Sequence, residues 1–253
     1  MIKTNIFSET DTRKITQQKG CFSVMEYTQD MSVDPKTAID AYFASKMNIR
    51  KKQVIAQLRK QSGVILQSGA MQMMVGDVSA ATNIKGALDV GKKFVNSKVT
   101  GESVIKPQYK GNGLVVFEPT YKYILLENIT EWGGSMVIED GMFLACDNTI
   151  DLHVSARKSL SSAVLGNEGL FNTELRGEGI AVLESPVPRE ELIVVDLEND
   201  EIRIDGNMAI AWSSSLKFEV KKTTSSLIGS AASGEGFVNC YRGTGRIMIA
   251  PVM

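Results

Sequence analysis

Histidine is nearly missing: His153 is the only one in 253 residues. Metal sites built from several histidines are therefore excluded. Any Ser-His-Asp or Cys-His nucleophile would have to use His153 itself. Cysteine is scarce too. Cys21, Cys146 and Cys240 are scattered, odd in number and form no CxxC pair. They read as small buried thiols of a reduced intracellular protein, not as a disulfide framework. Neither sign of charge prevails, with 28 basic and 29 acidic residues and a net charge of -1. No global field draws the chain to nucleic acid or to a membrane surface. No apolar run approaches the ~18 residues of a membrane span. Met1 to Gly20 is polar and lacks the apolar core of a secretion signal. The expected location is the cytoplasm, and no cofactor is called for.

What is present is a pattern. Lys110-Gly111-Asn112-Gly113 is followed by the apolar run Leu114–Phe117. Arg176-Gly177-Glu178-Gly179 is followed by Ile180–Leu183, and Arg242-Gly243-Thr244-Gly245 by Arg246 and Ile247–Ile249. The spacing is 66 residues each time, and a Pro stands close behind (Pro119, Pro186, Pro251). A fixed period marks one supersecondary unit used several times. Two full copies, 111–154 and 177–220, align without gaps and share Val116/Val182, Glu118/Glu184, Ile138/Ile204, Met142/Met208 and Ala145/Ala211. The third copy is cut off by the end of the chain, so its first strand must pair with something already built. The early strands are the natural supplier, and a closed three-part β structure would leave no exposed edge.

Along the chain, residues 21–30 read as a weak first strand. Asp34-Pro35 reads as a helix start, and Ala38, Ile39, Tyr42 and Phe43 share one helical face, so the spacing predicts a helix near 35–47. Val54–Leu58 and Val64–Leu66 read as a hairpin, and Gly69–Met73 as a further strand. A second helix is predicted near 83–97, in a segment weakened by Gly86 and Gly91. After Gly101 everything reads as short strands. Ile150–Val154 and Leu216–Val220 alternate strictly, which puts one face on a core. Glu201–Ile204 and Met208–Trp212 flank an Asp-Gly-Asn turn and read as a hairpin, as do Met136–Ile138 and Met142–Cys146. The fold class is all-β with minor helices, internally repeated about a pseudo-threefold axis, of β-sandwich or double-stranded β-helix type. The whole chain, 1–253, reads as one β-repeat domain: an N-terminal part over 21–100, then two full repeats and a truncated third over 101–253.

Candidate chemistry is sparse. The glycine pairs (Gly111, Gly113, Gly177, Gly179, Gly243, Gly245) could cradle phosphate, but they open strands and not helices, so they read as tight turns or bulges. His153 lies on the polar face of its strand. The acidic pairs Glu139-Asp140, Glu190-Glu191 and Glu198/Asp200 fall at turns, where carboxylates are solvated. No catalytic constellation and no metal set is recognisable. From Ala41 to Gly76 the chain holds Lys46, Arg50, Lys51, Lys52, Arg59 and Lys60 and no acidic residue. That segment could neutralise the phosphates of RNA or another polyanion. No aromatic interleaves with it to stack bases. The methionines Met71, Met73, Met74, Met136, Met142 and Met208 read as core filling or as an adaptable partner groove.

Gly69-Ala70-Met71, Gly101-Glu102-Ser103, Gly177-x-Gly179, Asp205-Gly206, Gly234-Glu235-Gly236 and Gly243-x-Gly245, in that order, resemble the altered inheritance of mitochondria twenty-four family over roughly residues 50–250. The resemblance implies a β-rich fold of repeated sheets, similar to a double-stranded β-helix and to the tryptophan-regulated RNA-binding attenuation protein. It supplies no catalytic set. The expectation is a non-enzymatic binding or scaffold protein, with an unknown protein partner or a second copy of itself. Polyanion binding through residues 46–60 is the alternative, and an enzyme with a carboxylate-based site comes third.

Overall fold

The computed structural model describes residues 3–29, 31–32, 34–60, 62–82, 106–156, 171–222 and 237–251. The expected helix at 83–97 lies outside them. The chain is all-β with few helices. Its strands are β1 (Arg13–Lys19), β2 (Phe22–Tyr27), β3 (Lys52–Leu58), β4 (Gly63–Leu66), β5 (Met71–Ala81), β6 (Gln108–Phe117), β7 (Tyr123–Asn128) and β8 (Ser135–Ile138). They continue as β9 (Phe143–Asp147), β10 (Ile150–Ala156), β11 (Phe171–Gly177), β12 (Ile180–Ser185), β13 (Ile193–Ile204), β14 (Ala209–Ser213), β15 (Lys217–Lys222) and β16 (Phe237–Ile249). One α-helix, α1 (Ala38–Lys46), falls inside the expected 35–47.

Among the described residues the strands form two sheets. The nine-stranded sheet runs β1-β2-β3-β6-β4-β9-β12-β7, with β5 added on β6. The seven-stranded sheet runs β10-β11-β8-β14-β16-β13, with β15 added on β16. The larger sheet curls back on itself: Gln17 Nε2 on β1 donates to Ile124 O on β7 at 3.0 Å, joining the two ends of the path. One core cluster takes Leu125, Phe143 and Leu183 from this sheet and Met136, Leu175, Ile210 and Met248 from the other. A second, with Phe22, Val54, Val115 and Phe117, fills the curl. These side chains are apolar at alternate positions, so burying them contributes the main favourable term.

The glycine pairs mark where the chain turns: one lies between strands of different sheets, and the other two bend a strand within its own sheet. β11 belongs to one sheet and β12 to the other, and Gly177–Gly179 stand between them. β6 and β16 are continuous but bent. Ala250 N–H donates to Met208 O at 2.7 Å, while Asn239 Nδ2 donates to Gly206 O at 2.9 Å. Positions 239 and 250 therefore meet the same short turn, although a straight strand would hold them about 35 Å apart. The same holds at β6, where Glu118 N–H reaches Ala70 O (2.8 Å) and Leu66 N–H reaches Pro107 O (3.0 Å). Such corners are a known way for strands to pass from one layer to the next.

The three expected hairpins do not zip up. β3 and β4 both pair β6, end to end along one side of it: Leu58 faces Gly113 and Gly63 faces Lys110. β8 pairs β11 and β14, whereas β9 pairs β12 and β4. β13 and β14 lie on opposite sides of β16. The turn residues were read correctly, but each turn serves a corner. The one clear hairpin of the N-terminal region is β1–β2, whose first strand the sequence pattern missed because RKITQQK is mostly polar and exposed.

The 66-residue spacing reappears in the strand register. Ala145 faces Val182 and Cys146 faces Ala181; Ala211 faces Met248 and Trp212 faces Ile247, each member displaced by 66 positions. The match joins the last two copies. The first glycine strand, β6, takes its partners at other offsets, with Ile55 facing Val116 and Met73 facing Val116 from the other side.

Candidate functional site

Two long strands have a neighbour on one side only among the described residues. β5 runs 11 residues along the whole of β6, from Met71 opposite Phe117 to Ala81 opposite Gln108. β13 runs 12 residues along β16, from Ile193 opposite Ile249 to Ile204 opposite Asn239. Each follows the corner of its glycine strand. β5 bends at Gly76 (φ 103°), opposite Gly113; β13 bulges between Leu197 and Asp200, where Asn199 takes φ 54°. Asparagine is one of the few side chains that tolerate the left-handed region, and Asn199 N–H is also held by Thr244 Oγ1 at 2.9 Å.

Both edges carry apolar side chains in solvent: Met73 and Met74 at 42% and 41% exposure, Ile193 and Val194 at 48% and 44%. The reading of Met73 and Met74 as core filling is corrected here. Met136 and Met142 are buried as expected. α1 adds a second apolar display. Its half-buried residues are Ala38, Ala41 and Ala44, so Ile39, Tyr42 and Phe43 point away from the body and none of its residues is buried.

The basic segment does not form one patch. β3 runs through its middle, and seven extended residues put its ends about 20 Å apart. Lys46, Arg50 and Lys51 stand before β3, Arg59 and Lys60 after it. Lys46 is exposed with its ammonium 5.4 Å from the Tyr42 ring. Arg50 donates to Asn48 Oδ1 at 2.7 Å. Lys51 lies 5.3 Å from the Tyr121 ring. Lys52 is only 6% exposed: it donates to Arg50 O (2.9 Å), lies 4.4 Å over the Tyr123 ring and sits 3.9 Å from Glu26. Burial lowers its pKa, against the opposing pull of Glu26. Such a lysine is spent on the fold. Arg59 and Lys60 are exposed.

The remaining candidate residues are placed as follows. His153 is exposed on β10, across the ladder from Glu174. Asp140, Glu190 and Glu191 are exposed as turn acids should be; Glu198 and Asp200 are exposed too, but they lie at the bulge inside β13 and not at a turn, which corrects the expectation there. Among the described residues no group of three His, Cys, Asp or Glu could hold a metal ion, and no helix is long and apolar enough to cross a membrane. Cys21, Cys146 and Cys240 are free thiols. Burial, reinforced by Asp147, pushes the thiols of Cys21 and Cys146 well up.

With this geometry in hand, comparison with known proteins is decisive for kinship. The sequence matches the family described as "Mitochondrial biogenesis AIM24" over residues 43–252. The chain belongs to this family. An uncharacterised protein of Streptococcus pyogenes serotype M6 is 28% identical over 200 residues, covering 76% of this chain and 78% of the relative. A crystal structure of a Streptococcus pyogenes protein is similar with a TM-score of 0.57 at 24% identity, covering 81% of this chain and 89% of that one. That likeness concerns the fold. The β1–β2 hairpin lies ahead of the AIM24 match and pairs onto β3, the first strand of the matched region.

Proposed function

We propose that this AIM24-family chain is a non-enzymatic scaffold that assembles with further copies of itself, β5 of one copy meeting β13 of the next. The observation that carries the reading is the pair of one-sided edge strands, matched in length at 11 and 12 residues and both bent around a glycine strand. An edge strand presents a row of unpaired N–H and C=O groups, and proteins normally guard it with lysine, proline or inward charges. β5 (MQMMVGDVSAA) has only Asp77. The stretch of β13 before its bulge, Ile193–Leu197, has only Asp196, which Arg246 holds bidentately at 2.7 and 3.1 Å. Two different edges meeting head to tail make a heterologous contact, which closes into a ring or runs on as a filament. In the same reading the three glycine strands are three uses of one unit, the first completed by strands of the N-terminal half.

Sedimentation velocity tests this. The wild type is expected to sediment well above its 27.6 kDa monomer. Met74→Lys and, separately, Val194→Lys are expected to sediment as monomers with unchanged circular dichroism. A monomeric wild type at tens of micromolar would overturn the proposal.

A further inference from the structure

The N-terminal hairpin does more than extend a sheet. Where it packs beside the end of β3 it forms one wall of an open cleft of about 430 Å³, lined by Gln18, Gly20, Cys21, Phe22 and Ser23 from the hairpin and by Gln57, Arg59 and Ser62 from the other side. The hairpin half lies ahead of the family match, and the other half lies within it. The two halves are tied by backbone: Gln57 N–H donates to Cys21 O at 2.8 Å, and Phe22 faces Ala56 in the ladder. Phe22 and Ser23 are buried, so the floor is fixed.

The wall chemistry is one-sided. Among the described residues the Arg59 side chain has no hydrogen-bond or ion-pair partner, although its backbone is locked by Ser62 Oγ, which accepts from Arg59 N–H and donates to Arg59 O, both at 2.7 Å. The Gln57 side-chain amide is exposed and likewise has no partner among the described residues. Gln18 Nε2 reaches Ser23 Oγ only at 3.4 Å and can turn to a better acceptor. Lys60 stands next in the chain, exposed. An acid, Asp147, stands beside Cys21, and it is already engaged by Ile180 N–H at 2.8 Å and Cys21 Sγ at 3.5 Å. A guanidinium in a fixed frame, beside two side-chain amides and a hydroxyl, is the donor set that recognises an oxyanion.

We propose that this cleft binds a small molecule carrying a phosphate or carboxylate group, with Arg59 gripping the oxyanion and Gln57, Gln18 and Ser23 supplying neutral donors. The volume suits a metabolite-sized molecule. On this reading the hairpin converts the family core into a ligand-binding form, independently of the edges used for assembly.

The test is a nuclear magnetic resonance titration of the full chain with inorganic phosphate and, in a second arm, citrate, both at constant ionic strength. Saturable shifts are expected at residues 18–23 and 57–62, and the arm with the tighter response assigns the oxyanion. Arg59→Gln is expected to weaken binding about tenfold or more, Arg59→Lys less, and Lys60→Gln little, because a bidentate fork is lost only in the first two. Gln18→Leu is expected to weaken it several-fold, which separates a hairpin-built site from a bare surface arginine. Absence of saturable shifts in both arms, or equal affinity in Arg59→Gln, would overturn the proposal. So would binding of a random RNA pool with no response to either small anion.

Discussion

Two corners of this molecule use the same glycine motif and are built differently. At the first, β5 crosses β6 so closely that a Cβ on Gly111 would lie 2.0 Å from Asp77 O, and one on Gly113 would lie 2.1 Å from Val75 O. Real atoms do not approach so near, so glycine is there to let two backbones touch. At the third corner a Cβ on Gly243 would lie 3.5 Å from Ser215 O, an ordinary contact. What Gly243 supplies is its φ of 135°, which L side chains rarely adopt. The edges differ as well. β5 is almost without charge, whereas β13 from its bulge onward carries Glu198, Asp200, Glu201 and Arg203. Glycine thus serves close backbone approach at the first corner, while at the third Gly243 serves backbone direction and Gly245 clears the Ser213 and Ser215 side chains, 2.8 Å from where a Cβ would stand; only the first corner leaves its edge unguarded throughout.

This comparison can be broken by substitution. The largest effect is expected for Gly113→Ala, where the added methyl must push β5 off β6, with a loss of about 3 kcal/mol or more in urea unfolding. Gly243→Ala has room for its methyl and must meet only the backbone cost, about 1–2 kcal/mol. Equal losses at the two positions would erase the distinction. Thr244→Val removes the hydroxyl that holds Asn199 N–H at the β13 bulge, and about 1 kcal/mol or less should follow.

The smallest effect is electrostatic and confined to the third corner. Hydrogen bonds from Lys221 first, then Cys240 and Arg203, hold the Glu201 carboxyl down to about 2. A carboxyl depressed in the folded state adds stability that is present above its unfolded value of about 4.3 and is lost as pH falls toward 2. Acid unfolding followed between pH 5 and 2 should be less steep in Glu201→Gln. An unchanged profile would mean that the Lys221 and Arg203 contacts, at 2.8 and 2.7 Å, are too well solvated to matter.

The sequence made the strands legible because alternation reports a half-buried face directly: Ile150–Val154 and Glu201–Ile204 are parts of strands, and so is all of Met208–Trp212 but Met208. The glycine pairs and their spacing were legible too, since φ and close approach leave few other residues possible. Pairing was not legible. Asp205-Gly206-Asn207 marks where β13 stops, but no local signal tells a hairpin from a corner, because the difference lies in β16 and its bend more than 30 residues away. The basic segment misled for a similar reason. A run of charges in sequence contains β3, and alternation along it turns Lys52 inward to Tyr123 and Glu26 while Arg59 stays outside. The cleft at Arg59 needed the hairpin's Gln18–Ser23 beside it, which no spacing announces.

The central claim, that β5 of one copy meets β13 of another, is tested most directly by mixing two single-cysteine additions. Met74→Cys and Val194→Cys are purified separately, mixed and treated with a short bifunctional maleimide, with the wild type as control for Cys21 and the buried thiols. The account predicts a cross-linked dimer in the mixture well above that in either variant alone. Cross-linking no greater in the mixture than in the separate variants would contradict it.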